Sequence, residues 1–126
     1  MIISPVTEVT DEYVHNLNNP KINRFLSTHN KPQTKEMVEE WVKVNKPLGI
    51  YIKRNLVGTI NLSIHIPVVG VLIFKNHQKK GYGVEAINKV KVDKMLAGID
   101  DKNIESKNLF KKAGFKKTTL YQYKEL

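Results

Sequence analysis

Cysteine is absent from this sequence. That excludes disulfide staples, thiolate metal sites and cysteine nucleophiles, and it fits a cytoplasmic protein. Long apolar runs are missing too: nothing approaches the roughly 18 residues that a membrane span requires, so no membrane partner is expected. The start, "MIISPVTEVTDEY", has no basic segment followed by an apolar one, and no secretory leader is predicted. Internal repeats, low-complexity tracts and Pro/Gly/Ser linkers are also lacking. A single domain over residues 1–126 is therefore expected. Histidines are few, and His15, His29 and His77 stand at no metal-ligand spacing, so no metal is indicated.

What the chain does have is positive charge, +9 overall, with lysines crowded into the C-terminal half. A solvated basic surface, a nucleic-acid patch and a site for a small polyphosphate ligand all fit that charge. With 40% apolar residues the chain reads as globular rather than disordered.

Periodicity orders the elements. Met1–Ser4 suits a short strand. Thr10 caps a helix bearing Tyr13, Val14 and Leu17, and Pro20 opens a second short helical segment. Thr34 caps a third, in which Met37, Val38, Trp41 and Val42 form an apolar stripe that closes near Asn45, ahead of Pro47. "LGIYIKR" and the following stretch read as a hairpin. In its second strand Ile60, Leu62, Ile64 and Ile66 alternate with Thr59, Asn61, Ser63 and His65, giving one apolar and one polar face. "VVGVLIF" predicts a strand buried on both faces. A helix from about Val84, a short strand "MLAGI", a helix from about Asn103 stopped by Gly114, and a final strand "FKKTTLYQYKEL" complete an α/β domain with a mixed central sheet and helices on both faces.

The stretch "HQKKGYGVEA" places two glycines and two lysines between a buried strand and a helix. Glycines admit positive φ and close approach of a ligand, and free N–H groups at a helix start attract anions. The stretch matches neither the nucleoside-triphosphate loop pattern nor G-x-G-x-x-G, since Ala86 stands in the third glycine position. A plain turn and a phosphate cradle both remain open on these residues alone.

"VGTINL", "VGVLIF", "QKKGYGVEAI" and "NIESKNLFKKAGF", in this order and at these separations, resemble the GNAT superfamily of acetyl-CoA-dependent N-acetyltransferases. "NNPKINRFL" is similar to the branch that contains amino-sugar and ribosomal-protein N-terminal acetyltransferases. The family's loop pattern is met by Gln78, Gly81 and Gly83. The resemblance implies a GNAT-like fold and acetyl-CoA as acetyl donor. Backbone of Val71, Leu72 and Ile73 would pair with the pantetheine arm in a splay between the buried strand and "MLAGI". Backbone N–H groups of Lys79, Lys80, Gly81, Tyr82 and Gly83 would hold the pyrophosphate. Asn103 would bond the pantetheine or acetyl end, Ser106 and Phe110 would contact the thioester half, and Lys111 or Lys112 would meet the 3′-phosphate. Each has a structural alternative: Asn103 is a good N-cap, Phe110 a good core residue, and the lysines suit solvent.

The chain also departs from the pattern. Phe110 stands where many relatives carry a tyrosine that protonates the thiolate, and Val69 where a glutamate often precedes the strand glycine. No catalytic residue is therefore assigned. His65, on the polar strand face, is the remaining candidate base. The helix after Gly83 and the C-terminal hairpin look short, and a second copy completing the exposed C-terminal sheet edge is the expected compensation. The resemblance implies transfer of an acetyl group to a primary amine, on a small molecule such as an amino sugar or on a peptide N-terminus. The alternatives are a catalytically silent acyl-CoA-binding relative and a basic nucleic-acid module. The last lacks any recognisable nucleic-acid signature, so no nucleic-acid partner is expected.

Overall fold

A computed structural model describes residues 1–23, 31–62, 68–91, 95–100 and 102–116. Its described elements follow the expected order: β1 (Ile2–Pro5), α1 (Asp11–Leu17), α2 (Pro20–Asn23), α3 (Lys35–Asn45), β2 (Leu48–Ile52), β3 (Asn55–Leu62), β4 (Val69–Ile73), a 3-10 turn (Lys75–His77), α4 (Tyr82–Val90) and α5 (Ile104–Lys112). The helix ends are built from local chemistry. Thr10 Oγ1 accepts from the Tyr13 N–H at 3.1 Å and Thr34 Oγ1 from the Met37 N–H at 3.2 Å, so both expected caps form. At the end of α5 the Gly114 N–H donates to the Lys111 carbonyl and the Phe115 N–H to the Phe110 carbonyl, with Gly114 at φ 93°. This is a Schellman closure, and the rings of Phe110 and Phe115, 5.0 Å apart edge to face, supply its apolar contact.

The four strands lie in the order β1-β2-β3-β4, each pair antiparallel. Among the described residues the parallel component of the expected mixed sheet is one bridge, Val68 to Leu96, with the Val69 N–H donating to the Leu96 carbonyl at 2.8 Å. Among the described residues "MLAGI" thus pairs with the sheet at a single point.

Helices cover both faces, as expected. On one, Ile50, Val57, Ile60 and Val69 pack with Ala86 and Ile87 of α4 and with Phe110 and Ala113. On the other, Val6, Val9, Leu56 and Phe74 pack with Tyr13 of α1 and Val38 of α3. Burying Phe74 or Ile50 completely contributes about 1.5–3 kcal/mol each relative to exposure. A bulge in the β2–β3 ladder, where Ile50 faces Gly58 while Tyr51 faces Leu56, leaves Val57 as the extra residue. It lets Val57 and Ile60 serve the same core although three positions separate them.

Three expectations need correction. Thr59 does not face solvent: it is 1% exposed, because α1 and α3 cover the side of β3 that the alternation marks as polar. β4 is not buried throughout. Val69 is buried, but Gly70 is exposed and Val71, Leu72 and Ile73 are half-buried, because beyond Val69 the strand has no described neighbour on its outer edge. α4 begins at Tyr82 rather than Val84, so Gly83 belongs to the helix. Ser63, Ile64, His65 and Ile66 lie outside the described residues, as does the expected final strand from residue 117 onward, with the sheet edge that a second copy would complete.

Candidate functional site

β4 ends in Phe74, whose N–H donates to the Val57 carbonyl at 2.9 Å on the β3 side. Backbone direction alternates along a strand, so Leu72 also turns its N–H and C=O to β3, opposite Thr59. Val69 points the other way, to Leu96, and Val71 and Ile73 follow it outward. The N–H groups of Val71 and Ile73 have no described partner, so among the described residues this strand edge is open beyond the Val68–Leu96 bridge. Of the three residues named from the sequence here, Val71 and Ile73 turn their backbone to this edge. Leu72 turns its backbone to β3.

At the end of that edge stands Gln78, whose Nε2 donates to the Ile73 carbonyl at 3.0 Å. Its side chain folds back and ties the start of the loop to the strand. The chain then enters left-handed backbone twice, at Lys79 (φ 62°) and at Gly81 (φ 80°), the latter capping α4 without any side-chain bond. A lysine in that region is strained by about 1 kcal/mol or more, which glycine avoids. The first bond of α4 runs from the Glu85 N–H to the Gly81 carbonyl at 3.1 Å. The six successive N–H groups from Lys79 to Val84 therefore donate to no described acceptor. Lys79 and Lys80 are exposed, and neither has an ion-pair partner among the described residues. Free N–H groups, a helix N-terminus and two ammonium groups give one small surface a strongly positive potential.

Gly83 serves packing. A Cβ there would lie 2.5 Å from Leu109 Cδ1, so the missing side chain lets α4 approach α5. Gly81, by contrast, faces open space.

The α5 candidates lie one after another on the helix. Asn103 is its N-cap: Oδ1 accepts from the Ser106 N–H at 3.1 Å, while Nδ2 has no described acceptor. Ser106 is half-buried, one turn ahead of Phe110. Phe110 is 4% exposed and belongs to the core against Phe115. Lys111 and Lys112 occupy the exposed last turn. The structure thus joins the loop, the strand edge and the Gly83–Leu109 contact into one constellation, with Phe110 behind it as packing.

Nothing in the sequence marks the contacts that α1 makes to the base of this loop. Asn16, 2% exposed, accepts from the Lys75 N–H through Oδ1 at 2.7 Å, and His77 Nε2 sits 3.1 Å from Glu12 Oε2. These partners lie about sixty residues apart in the chain, beyond any local pattern. Among the described residues no three His, Asp or Glu side chains gather to hold a metal, and no helix is long and apolar enough to cross a membrane.

Residues 1–116 match the family model of the acetyltransferase (GNAT) domain. The fold is similar to the crystal structure of the aminoglycoside antibiotic 6′-N-acetyltransferase AAC(6′)-IG from Acinetobacter haemolyticus, with a TM-score of 0.62 and 12% identity over 95% of this chain and 94% of that one. No curated protein sequence matches the chain.

Proposed function

The chain belongs to the GNAT acetyltransferase family, and from that premise we propose that it moves the acetyl group of acetyl-CoA onto a primary amine. The observation that carries this reading is the run of free N–H groups from Lys79 to Val84 beside the open edge of β4. A pyrophosphate needs clustered N–H donors and positive charge; a pantetheine arm needs amide partners along an extended edge. Both donor sets are present and adjacent, and Gln78 holds them in register. The acyl donor would therefore lie along Val71 and Ile73, with its diphosphate on residues 79–84.

The reaction forms a C–N bond, breaks the C–S bond and transfers one proton from the amine, with the thiolate accepting one in turn. Outward N–H groups of β4 suit the developing negative charge on the carbonyl oxygen. Holding amine and thioester together supplies much of the acceleration. Asn103 Nδ2, free to donate, would orient the acyl end, with Ser106 beside it. The neighbour from Acinetobacter acts on an aminoglycoside, and an amino sugar is one proposed acceptor class here; a protein N-terminus is the other.

The test is release of free CoA thiol, read with a thiol-reactive chromophore over a panel of amino sugars and short peptides. The chain contains no cysteine, so every thiol detected comes from the donor. Acceptor-dependent release supports the proposal; hydrolysis at the same rate with and without every amine counts against it. The buried Phe110 and Val69, neither able to exchange a proton, favour a second reading, an acyl-CoA-binding protein without turnover. Tight acetyl-CoA binding with no thiol release identifies that case.

A further inference from the structure

We propose that Asn16 and His77 are positioning residues for the diphosphate loop, through which α1 holds residues 79–84 in their anion-binding shape. This inference rests on the acyl-CoA reading of the site and adds residues to it.

α1 docks along the segment between β4 and the loop in three consecutive contacts. Tyr13 stacks on Phe74, ring centroids 5.4 Å apart at 29°. Asn16 takes the Lys75 N–H at 2.7 Å. Glu12 meets His77 through both carboxylate oxygens, at 3.3 and 3.1 Å. The very next residue is Gln78, which anchors to the Ile73 carbonyl, and the strained Lys79 follows it.

Both ends of the Asn16 carboxamide are bonded. Its Nδ2 donates to the Glu12 carbonyl at 2.8 Å while Oδ1 accepts from Lys75. A buried amide satisfied on both sides holds its partners in one arrangement, because any shift leaves a polar group without a bond. Lys79 takes the positive-φ position of the tight turn that follows Gln78 (φ −74°, ψ 163°), a place glycine fills at lower cost, so the shape of the turn depends on how its base is held. The segment from Phe74 to Gln78 is that base, and α1 and the β4 edge hold it from two directions.

Just past the C-terminal end of α1, the cap residue Asn18 makes a pair of bonds to Gln33, at 2.8 and 2.7 Å, and no described bond to the loop. Asn18→Ala therefore loosens α1 without touching the loop and serves as the control.

The experiment compares two ligands on the full chain: acetyl-CoA by calorimetry, and S-acetylpantetheine, which lacks the diphosphate, by NMR titration. For Asn16→Leu the expected result is an acetyl-CoA Kd raised about tenfold, the scale of one hydrogen bond, with that for S-acetylpantetheine unchanged. His77→Ala, at a half-exposed site, should shift acetyl-CoA in the same direction by about threefold. Should Asn16→Leu not fold, His77→Ala decides alone. Asn18→Ala should move neither ligand. Equal losses for both ligands in the tested variants, or no loss for acetyl-CoA, overturn the inference. Failure of the unaltered chain to bind acetyl-CoA is a different result, and it removes the functional reading itself.

Discussion

The carboxamide of Gln78 donates to the carbonyl of Ile73 across 3.0 Å, and this bond joins the loop to the strand edge. Gln78 acts on the backbone that would hold a diphosphate and need not touch the ligand. Replacement by Ala should weaken acetyl-CoA binding about three- to tenfold, the value of one hydrogen bond. Replacement by Glu should be worse, since a carboxylate cannot donate to a carbonyl and adds negative charge beside the anion site. A calorimetric series of the three proteins checks the order; equal affinity of Gln78→Glu and the unaltered chain contradicts it.

Gly58 and Gly70 make a contrast within one strand pair. A Cβ at Gly58 would lie 2.3 Å from the Leu72 carbonyl oxygen and 3.1 Å from Ile73 Cα, both backbone, whereas a Cβ at Gly70 meets nothing within 4 Å. Gly58→Ala should destabilise the fold by about 1–3 kcal/mol, the usual penalty of overpacking. Gly70→Ala should stay within about 0.5 kcal/mol of the unaltered chain. Urea unfolding of both variants provides the comparison.

Tyr13 gives a prediction for alkaline pH. Burial raises its phenol above the ordinary value of 10.0, with the bond to Thr59 acting in the opposite direction. Because the folded state keeps this proton longer than the unfolded state, the stabilisation is complete below 10.0 and is lost as pH rises through the folded-state value. Tyr13→Phe removes the titrating group. It should cost about 1 kcal/mol at neutral pH through the lost bond and should show a shallower loss of stability above pH 10. Thermal melts at several alkaline pH values, run on both proteins, measure the difference in slope.

Much of this architecture was legible because its causes are local. The threonine caps of α1 and α3, the Gly114 stop and the change of period at Leu48 each depend on residues within a turn of one another. The glycine turn and helix start over residues 79–84, with their free N–H groups, were legible for the same reason, since glycine spacing and a helix start are neighbours in the chain. Thr59 misled because its face depends on which helices cover the sheet. The packing role of Gly83 was not legible, because it is set by Leu109, a residue of another helix. The Asn16–Lys75 bond joins partners far apart in sequence, and a buried asparagine in a short helix carries no mark of what it will meet.

The most direct test of the account is a calorimetric titration of acetyl-CoA into the unaltered chain and into Gly81→Asp. Position 81 faces open space, so an aspartate there meets no neighbour and places its charge among the free N–H groups. Its φ of 80° strains any residue with a side chain, and Gly81→Asn, which carries that strain without the charge, is the reference. The account predicts micromolar affinity in the unaltered chain and a loss of at least tenfold from Gly81→Asn to Gly81→Asp. Absence of binding in the unaltered chain, or equal affinity in the two variants, would contradict it.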